Sequence, residues 1–135
     1  MDAIARPGYD RIRENSPEKI NKKIDKQTRE NIIKYSQTGE TGVRNRIKEL
    51  DKEWDIDRAV LLWASGVLSI GLLLTKRVNA KWIALPAVVA AFLGYHAIKG
   101  WCPPVSLFRR LKFRSRKEID AERYELIQKL KDKNH

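Results

Sequence analysis

Two side chains that can do chemistry lie close together in GYHAIKGWCPP, residues 94–104: Cys102, the single cysteine, and His96, one of two histidines. A thiol whose pKa is lowered by nearby cations can act as a nucleophile or a redox group. Three cations lie near this thiol in the sequence: Lys99, Arg109 and Arg110. Cys102 is therefore a candidate reactive thiol. The alternative is a small, polarisable residue at the end of an apolar helix that the following prolines stop.

Other kinds of active site find little support in the sequence. His96 and Cys102 supply two ligands, whereas a closed zinc site takes four, so no metal is predicted. We find no Ser-His-Asp set, no paired carboxylates and no phosphate-binding glycine loop. The sequence therefore predicts a protein that is not an enzyme and has no cofactor.

The sequence contains two long apolar runs, and the second of them includes His96. Residues 59–75 and 82–98 contain no charged side chain. As helices they are each about 25 Å long, slightly shorter than a hydrocarbon layer of about 30 Å. Both are apolar on all sides, whereas a helix of a small soluble bundle should show a polar stripe. We predict an all-α fold with a transmembrane helical hairpin of two spans; the alternative is a buried hairpin in a soluble bundle.

The distribution of charge predicts orientation and partners. The formal net charge of +11 favours an anionic partner, which could be nucleic acid, an acidic protein or an anionic lipid surface. Lys and Arg are more abundant in the two outer flanks than in the short turn between the runs. By the positive-inside rule, both termini lie in the cytoplasm.

The flanks divide into segments by composition. We predict a disordered arm over 1–17, a polar helix over 18–36 and an amphipathic interfacial helix over 43–55, followed after the hairpin of 56–104 by a basic juxtamembrane segment and C-terminal helix over 105–135. The alternative for 43–55 is a helix packed on other helices. Ser115 and Glu118 form a capping-box pattern at the start of the last helix.

Aromatic and basic residues at the borders predict membrane contacts. Indole rings favour the interface between lipid and water, so we expect three interfacial anchors: Trp54, Trp82 and Trp101. Cations in the segment after the second run can bind lipid phosphates. The predicted anionic-lipid contacts are Arg109, Arg110, Lys112, Arg114 and Arg116.

The hairpin also resembles a known family. DIDRAVLLWASGVLSIGLLL (55–74) and WIALPAVVAAFLGYHAIKGWCPPVSLFRRLKF (82–113) resemble the YgaP-like two-helix inner-membrane domain of bacteria. The family's pattern has an Asp-Arg pair at the first span, glycines within that span and a Gly-aromatic-Cys-Pro ending. It is matched by Asp57, Arg58, Gly66, Gly71 and residues 100–103. The resemblance implies a multi-pass protein of the bacterial inner membrane and no assigned activity. Pro104, where an aliphatic residue is commoner, departs from the pattern.

Together these features predict a membrane protein with a structural task. We expect anchoring, scaffolding or assembly through helix contacts and anionic lipid, with a second copy or another membrane protein as partner. One alternative is a thiol-dependent accessory of sulfur or redox metabolism that uses Cys102. The other is a basic helical protein that binds nucleic acid.

Overall fold

A computed structural model of the chain describes residues 10–135, and this part of the chain is helical without any strand. The elements are α1 (Arg11–Glu14), α2 (Glu18–Ser36), α3 (Gly39–Lys52), α4 (Ile56–Arg77), a 3₁₀-helix (Ala80–Ile83), α5 (Ala84–Lys99), α6 (Pro103–Arg110) and α7 (Arg116–Lys133). The expectation of an all-helical chain with two long apolar helices is confirmed for these residues.

Helices α2, α3 and α7 pack together as a three-helix bundle, which we call the headpiece. Each contributes a narrow apolar stripe, and the stripes share one core of Ile32, Val43, Leu50, Ile119, Leu126 and Leu130. Helix α7 begins with the expected capping box, because Ser115 and Glu118 each accept a hydrogen bond from the other's backbone N–H. The headpiece therefore has its own hydrophobic core.

The face of α3 that was expected to lie on lipid is buried in the headpiece. Val43 and Leu50 are buried in the shared core, and Ile47 packs against it. The apolar stripe on α3 packs against the stripes on α2 and α7. A single amphipathic helix cannot bury its own apolar stripe, so each of the three depends on the other two. Residues 43–55 are thus not an interfacial helix on this face. The alternative of a helix packed on other helices describes α3.

Helices α4 and α5 form an antiparallel hairpin closed by the 3₁₀-helix. The 22 residues of α4 extend about 33 Å, and α5 together with the 3₁₀-helix extends about as far. Asp55 caps α4 by accepting from the N–H of Arg58 at 2.9 Å. Gly100 ends α5 in the left-handed conformation, with φ of 79°.

The hairpin presents most of its apolar side chains to its surroundings. Two apolar stretches are long enough to cross a membrane. One lies within Gly39–Arg77, the range that contains α4, and the other within Ala80–Lys99, which contains α5; their mean hydropathies are 1.7 and 1.4. Only 22% and 17% of these stretches are buried. Core helices of a soluble protein are mostly buried, so these helices do not serve as the core of the described structure.

Gly71 permits a close approach of α4 to α5. A Cβ at Gly71 would stand 2.7 Å from Cδ and 2.8 Å from Cγ of Pro86, whose ring cannot rotate away. By contrast, a Cβ at Gly66 would meet nothing within 4 Å. The two glycines of α4 therefore have different roles, although the sequence presents them alike.

We predict opposite effects for alanine at these two glycines. Gly71→Ala should lower the free energy of unfolding by about 1–3 kcal/mol, because the added methyl group forces the helices apart. Gly66→Ala should raise it by up to about 1 kcal/mol, because alanine is the better helix former and has space. Urea unfolding in mild detergent, followed by far-UV circular dichroism, measures both. Equal effects of the two substitutions would contradict the close contact at Pro86.

Small residues elsewhere on the hairpin face outward. Ser65 and Ser69 are exposed, and each donates to the carbonyl four residues earlier on α4. Their spacing allows close helix approach, either within the hairpin or between two copies. In the structure they do not lie between α4 and α5, where Ala64, Gly71 and Val89 are buried instead.

The described part of the expected N-terminal arm, residues 10–17, is folded. It contains α1, and Ile12 is buried beside the base of the hairpin. Arg11 donates to the carbonyl of Ala97 and Asn15 to that of Lys99, so this segment is bound to the last turn of α5. Arg11, Arg13 and Asn15 find hydrogen-bond partners more than 80 residues away, which local composition does not reveal. Residues 1–9 of the predicted arm lie outside the described residues.

Candidate functional site

The headpiece and the hairpin meet where α4 begins and α5 ends, a region that we call the junction. Its buried core consists of Ile12, Ile56, Val60, Cys102 and Val105. The backbone N–H of Ile56 donates to the carbonyl of Arg114 at 2.9 Å, so the first turn of α4 is bonded to the segment that enters α7. Of the predicted site residues, Cys102 lies in this core, whereas Trp82 lies in the 3₁₀-helix at the opposite end of the hairpin.

A buried ion-pair network lies against the junction. Arg109 is 1% exposed and donates two hydrogen bonds to Glu118, at 2.6 and 3.0 Å. Arg13 donates to the same carboxylate at 2.7 Å, and Asn21 accepts from Arg109 at 2.6 Å. Burial alone would raise the pKa of Glu118, but the hydrogen bond and charge of Arg109, with further hydrogen bonds from the Ser115 backbone and from Arg13, outweigh it and lower that pKa. This carboxylate therefore stays ionised although it is buried.

A second network joins α3, α7 and the segment between α6 and α7. Arg114 donates to Glu122, which is fully buried, and to Glu53 at the end of α3. Arg46 donates to Glu122 as well, at 2.9 Å. Burial opposes the charge of Arg114, but its hydrogen bonds to Glu53 and the charges of both carboxylates raise its pKa. The network holds the headpiece helices against the chain that leaves the junction.

These networks correct the prediction of anionic-lipid contacts. Arg109 and Arg114 are buried with carboxylates and cannot reach lipid phosphates, because moving them out would leave those carboxylates unpaired. Arg116 is paired with Asp120 at 3.0 Å and is partly exposed. Arg110 and Lys112 are exposed, and neither has an ion pair within residues 10–135.

Lys112 occupies an unusual backbone conformation after α6. Its φ of 66° lies in the left-handed region that favours glycine. The N–H groups of Lys112 and Phe113 donate to the carbonyls of Arg109 and Phe108, which is a Schellman motif. The rings of Phe108 and Phe113 lie 5.3 Å apart and provide the apolar contact typical of this motif. A cation is thus held in an exposed turn at a position where glycine is easier to accommodate.

Replacing Lys112 with Gly should relieve this conformation. We predict that Lys112→Gly raises the free energy of unfolding by about 0.5–1 kcal/mol, because glycine enters the left-handed region without a Cβ penalty. Lys112→Ala is the matched control, since it removes the charge and keeps the penalty. Urea unfolding of both variants in mild detergent checks this. If alanine stabilises as much as glycine, charge repulsion rather than backbone conformation is the cause.

The three tryptophans expected to be interfacial anchors lie at the two ends of the hairpin. Trp54 is exposed just before α4, and Trp101 follows α5 closely. Trp82 is exposed in the 3₁₀-helix at the opposite end. The indole N–H of Trp101 donates to Ser106 at 3.1 Å, and its ring lies edge-on to Tyr95. Two of the three indoles therefore lie at one end of the hairpin and the third at the other end.

The environment of Cys102 does not favour a reactive thiol. The side chain is 2% exposed in the apolar core of the junction. Burial raises the pKa of the Cys102 thiol, and a hydrogen bond from the backbone of Val105 opposes this only in part. Arg109, one of the expected activating cations, is paired with Glu118. This buried, apolar position does not support the expectation of a lowered thiol pKa.

A polar contact between the two apolar helices was not predicted. Nε2 of His96, near the end of α5, lies 2.8 Å from Oδ1 of Asp57, in the first turn of α4. His96 is buried, while Asp57 is partly exposed. The sequence did contain a signal for this contact. Asp57 lies near the start of the first apolar run, and His96 lies near the end of the second. In an antiparallel hairpin these positions are neighbours.

The buried carboxylates also had a signal in the sequence. Glu122 lies three residues after Ile119 and four before Leu126, so it is on the apolar stripe of α7. Glu118 is four residues before it on the same side of the helix. Charged residues within an apolar stripe are buried only when paired, which predicts buried cationic partners without identifying them.

Comparison of the chain with models of known protein families, with curated proteins and with solved structures finds no match. The resemblance of residues 55–74 and 82–113 to the YgaP-like domain stays a prediction.

Proposed function

We propose that this chain is an integral membrane protein whose hairpin anchors the headpiece at the cytoplasmic surface of a bacterial inner membrane, where it serves as a scaffold for assembly. The observation that carries the proposal is the exposed apolar surface of the hairpin. The exposed large apolar side chains of α4, α5 and the turn between them are Leu61, Leu62, Trp63, Ile70, Leu72, Leu73, Val78, Trp82, Ile83, Val88, Phe92, Tyr95 and Ile98.

This surface is suited to hydrocarbon and not to water. Monomeric soluble proteins seldom expose contiguous apolar patches larger than a few hundred Å². The Leu, Ile, Val and Phe side chains among them each favour insertion at a helix centre by about 0.3–0.6 kcal/mol. All backbone N–H and C=O groups within such helices are bonded along the helix, which a bilayer requires of a spanning segment. The bacterial inner membrane itself rests on the resemblance to the YgaP-like domain.

The scaffold role is supported by the way the headpiece is attached. Only residues 53–55 separate α3 from α4, and residues 111–115 separate α6 from α7. Ion pairs and hydrogen bonds cross these connections, among them Arg114 to Glu53 and Ile56 to Arg114. A headpiece held in this way keeps a fixed orientation to the membrane. A fixed orientation lets its surface meet a second copy or another membrane protein in one geometry.

Carbonate extraction of membranes from expressing cells tests the anchor. The chain should stay in the pellet, and Ile70→Asp near the middle of α4 should weaken retention, because Asp at a helix centre costs about 2.5–3.5 kcal/mol. Tyr124→Asp, at an exposed aromatic on the headpiece, is the matched control and should leave retention unchanged. Recovery of the unsubstituted chain in the supernatant would overturn the proposal and favour the nucleic-acid alternative.

Reporters of compartment test the orientation. Fusions of a phosphatase and of a fluorescent protein at each terminus and beside Asn79 in the turn should report cytoplasmic ends and an external turn, since Lys and Arg are in excess in the flanks. The opposite pattern would reverse the orientation while leaving the anchor intact.

A further inference from the structure

A groove with a volume of about 230 Å³ lies between α4 and α5 on one side of the hairpin. Val60, Ala64 and Val89 are among its buried lining residues, and Trp63 and Val88 are exposed residues along it. It is lined by apolar side chains and the thiol of Cys102, and it exposes no polar surface. A ligand in this groove must therefore be apolar over the part that enters.

The groove is long in the direction of the helices. Its lining on α4 runs from Val60 to Val67, and on α5 from Leu85 to Leu93, which is about 10–12 Å of helix in each case. At the end nearest the junction, Cys102, Pro103 and Pro104 also line it. An elongated apolar groove that runs parallel to α4 and α5 fits a hydrocarbon chain.

Helix α6 begins at this end of the groove and carries a cation, Arg110. Pro103 and Arg110 are seven residues apart on α6, so they point to nearly the same side, about 10 Å apart along the axis. Leu107 lies between them on that side, and all three side chains are exposed. Arg110 has no carboxylate partner within the described chain, unlike Arg109 beside it. The apolar groove thus leads to an exposed side of α6 with an available guanidinium group.

We propose that the groove and this side of α6 bind one anionic glycerophospholipid, with an acyl chain between α4 and α5 and the headgroup phosphate at Arg110. The proposal deepens the membrane function above and rests on it. Arg is suited to this contact because its planar donors bind phosphate oxygens in pairs.

Native mass spectrometry of the full chain in mild detergent tests this site. The protein is incubated with equal amounts of phosphatidylglycerol and phosphatidylcholine, and the lipids retained per chain are counted. We expect one phosphatidylglycerol to be retained under conditions that remove the other lipids. Arg110→Gln should reduce the preference for phosphatidylglycerol about fivefold, because one cation near an anionic headgroup contributes about that factor. Lys131→Gln, at an exposed lysine near the far end of α7, should not.

Two substitutions fill the groove by different routes. Ala64→Phe adds bulk at its buried side, and Val88→Trp adds bulk from an exposed position that keeps the helix contact intact. Both should abolish the retained lipid, whereas Leu72→Phe, at an exposed position outside the lining, should not. Retention that is unchanged in Val88→Trp, or equal retention of both lipids by the unsubstituted chain, would overturn the site.

Carbonate extraction of the same proteins separates this proposal from the one before it. A chain that remains in the membrane but retains no lipid in detergent refutes the lipid site alone. A chain that is released by carbonate refutes the membrane anchor and the lipid site together.

Discussion

Glu118→Gln is expected to lower the free energy of unfolding by about 3–5 kcal/mol, since it leaves a buried guanidinium group without its counter-charge. Arg109 is 1% exposed and has Glu118 as its carboxylate partner. The substitution also removes the carboxylate that Arg13 binds and weakens the cap at the start of α7. Urea unfolding in mild detergent measures the loss. Glu30→Gln is the matched control: its pair with Lys26 is exposed and spans 3.9 Å, so the change should be below about 0.5 kcal/mol.

The same carboxylate predicts an acid-dependent loss of stability. The pKa of Glu118 is lower in the folded chain than its ordinary value of about 4.3. A group of this kind stabilises the fold fully above its unfolded pKa, and the contribution is lost as the pH falls through the folded pKa. The unsubstituted chain should therefore lose stability progressively below about pH 4.3, and Glu118→Gln should lose less over that range. Parallel pH profiles of the two proteins would contradict the assignment.

Arg114→Met is expected to destabilise the chain by a similar amount, about 3–5 kcal/mol. Glu122, which is 0% exposed, would keep only Arg46 as a partner, and Glu53 would lose its guanidinium donors. Arg110→Met, four residues earlier and exposed, is the control for loss of an arginine and should change the free energy of unfolding by less than about 0.5 kcal/mol. Urea unfolding in detergent compares the two variants.

A double substitution shows whether the cost comes from the unpaired carboxylate. Arg114→Met with Glu122→Leu removes the buried carboxylate together with its guanidinium partner, so it should recover part of the loss, while Arg46 keeps Glu49 as its partner. If the double variant is as unstable as the single one, the contacts of Arg114 with Thr28 and Glu53 carry the stability instead. Neither variant should change lipid preference, because Arg114 does not reach the surface. In this respect Arg114 and Arg110 differ, although both are arginines of one short basic segment.

Structural features within single helices could be predicted from the sequence because they depend on interactions between residues close together in the chain. Ser115 and Glu118 are three residues apart, and that spacing alone brings each side chain to the other's backbone N–H. The two charge-free runs likewise determine two long apolar helices, since length and composition suffice. The spacing of Val43, Ile47 and Leu50 determined which face of α3 is apolar, but not what covers it.

Only the tertiary structure decided which cations are buried and which are available. Arg109 and Arg110 are neighbours with the same side chain, yet one is paired with Glu118 and the other is exposed. The choice depends on how α6 is rotated against α2 and α7, because a difference of one residue turns a side chain by about 100° on a helix. The contact of Asp57 with His96, 39 residues away, likewise depends on the crossing of two helices. Local spacing predicts neither the burial of Arg109 nor the contact of Asp57 with His96, because both depend on the packing of helices that are distant in sequence.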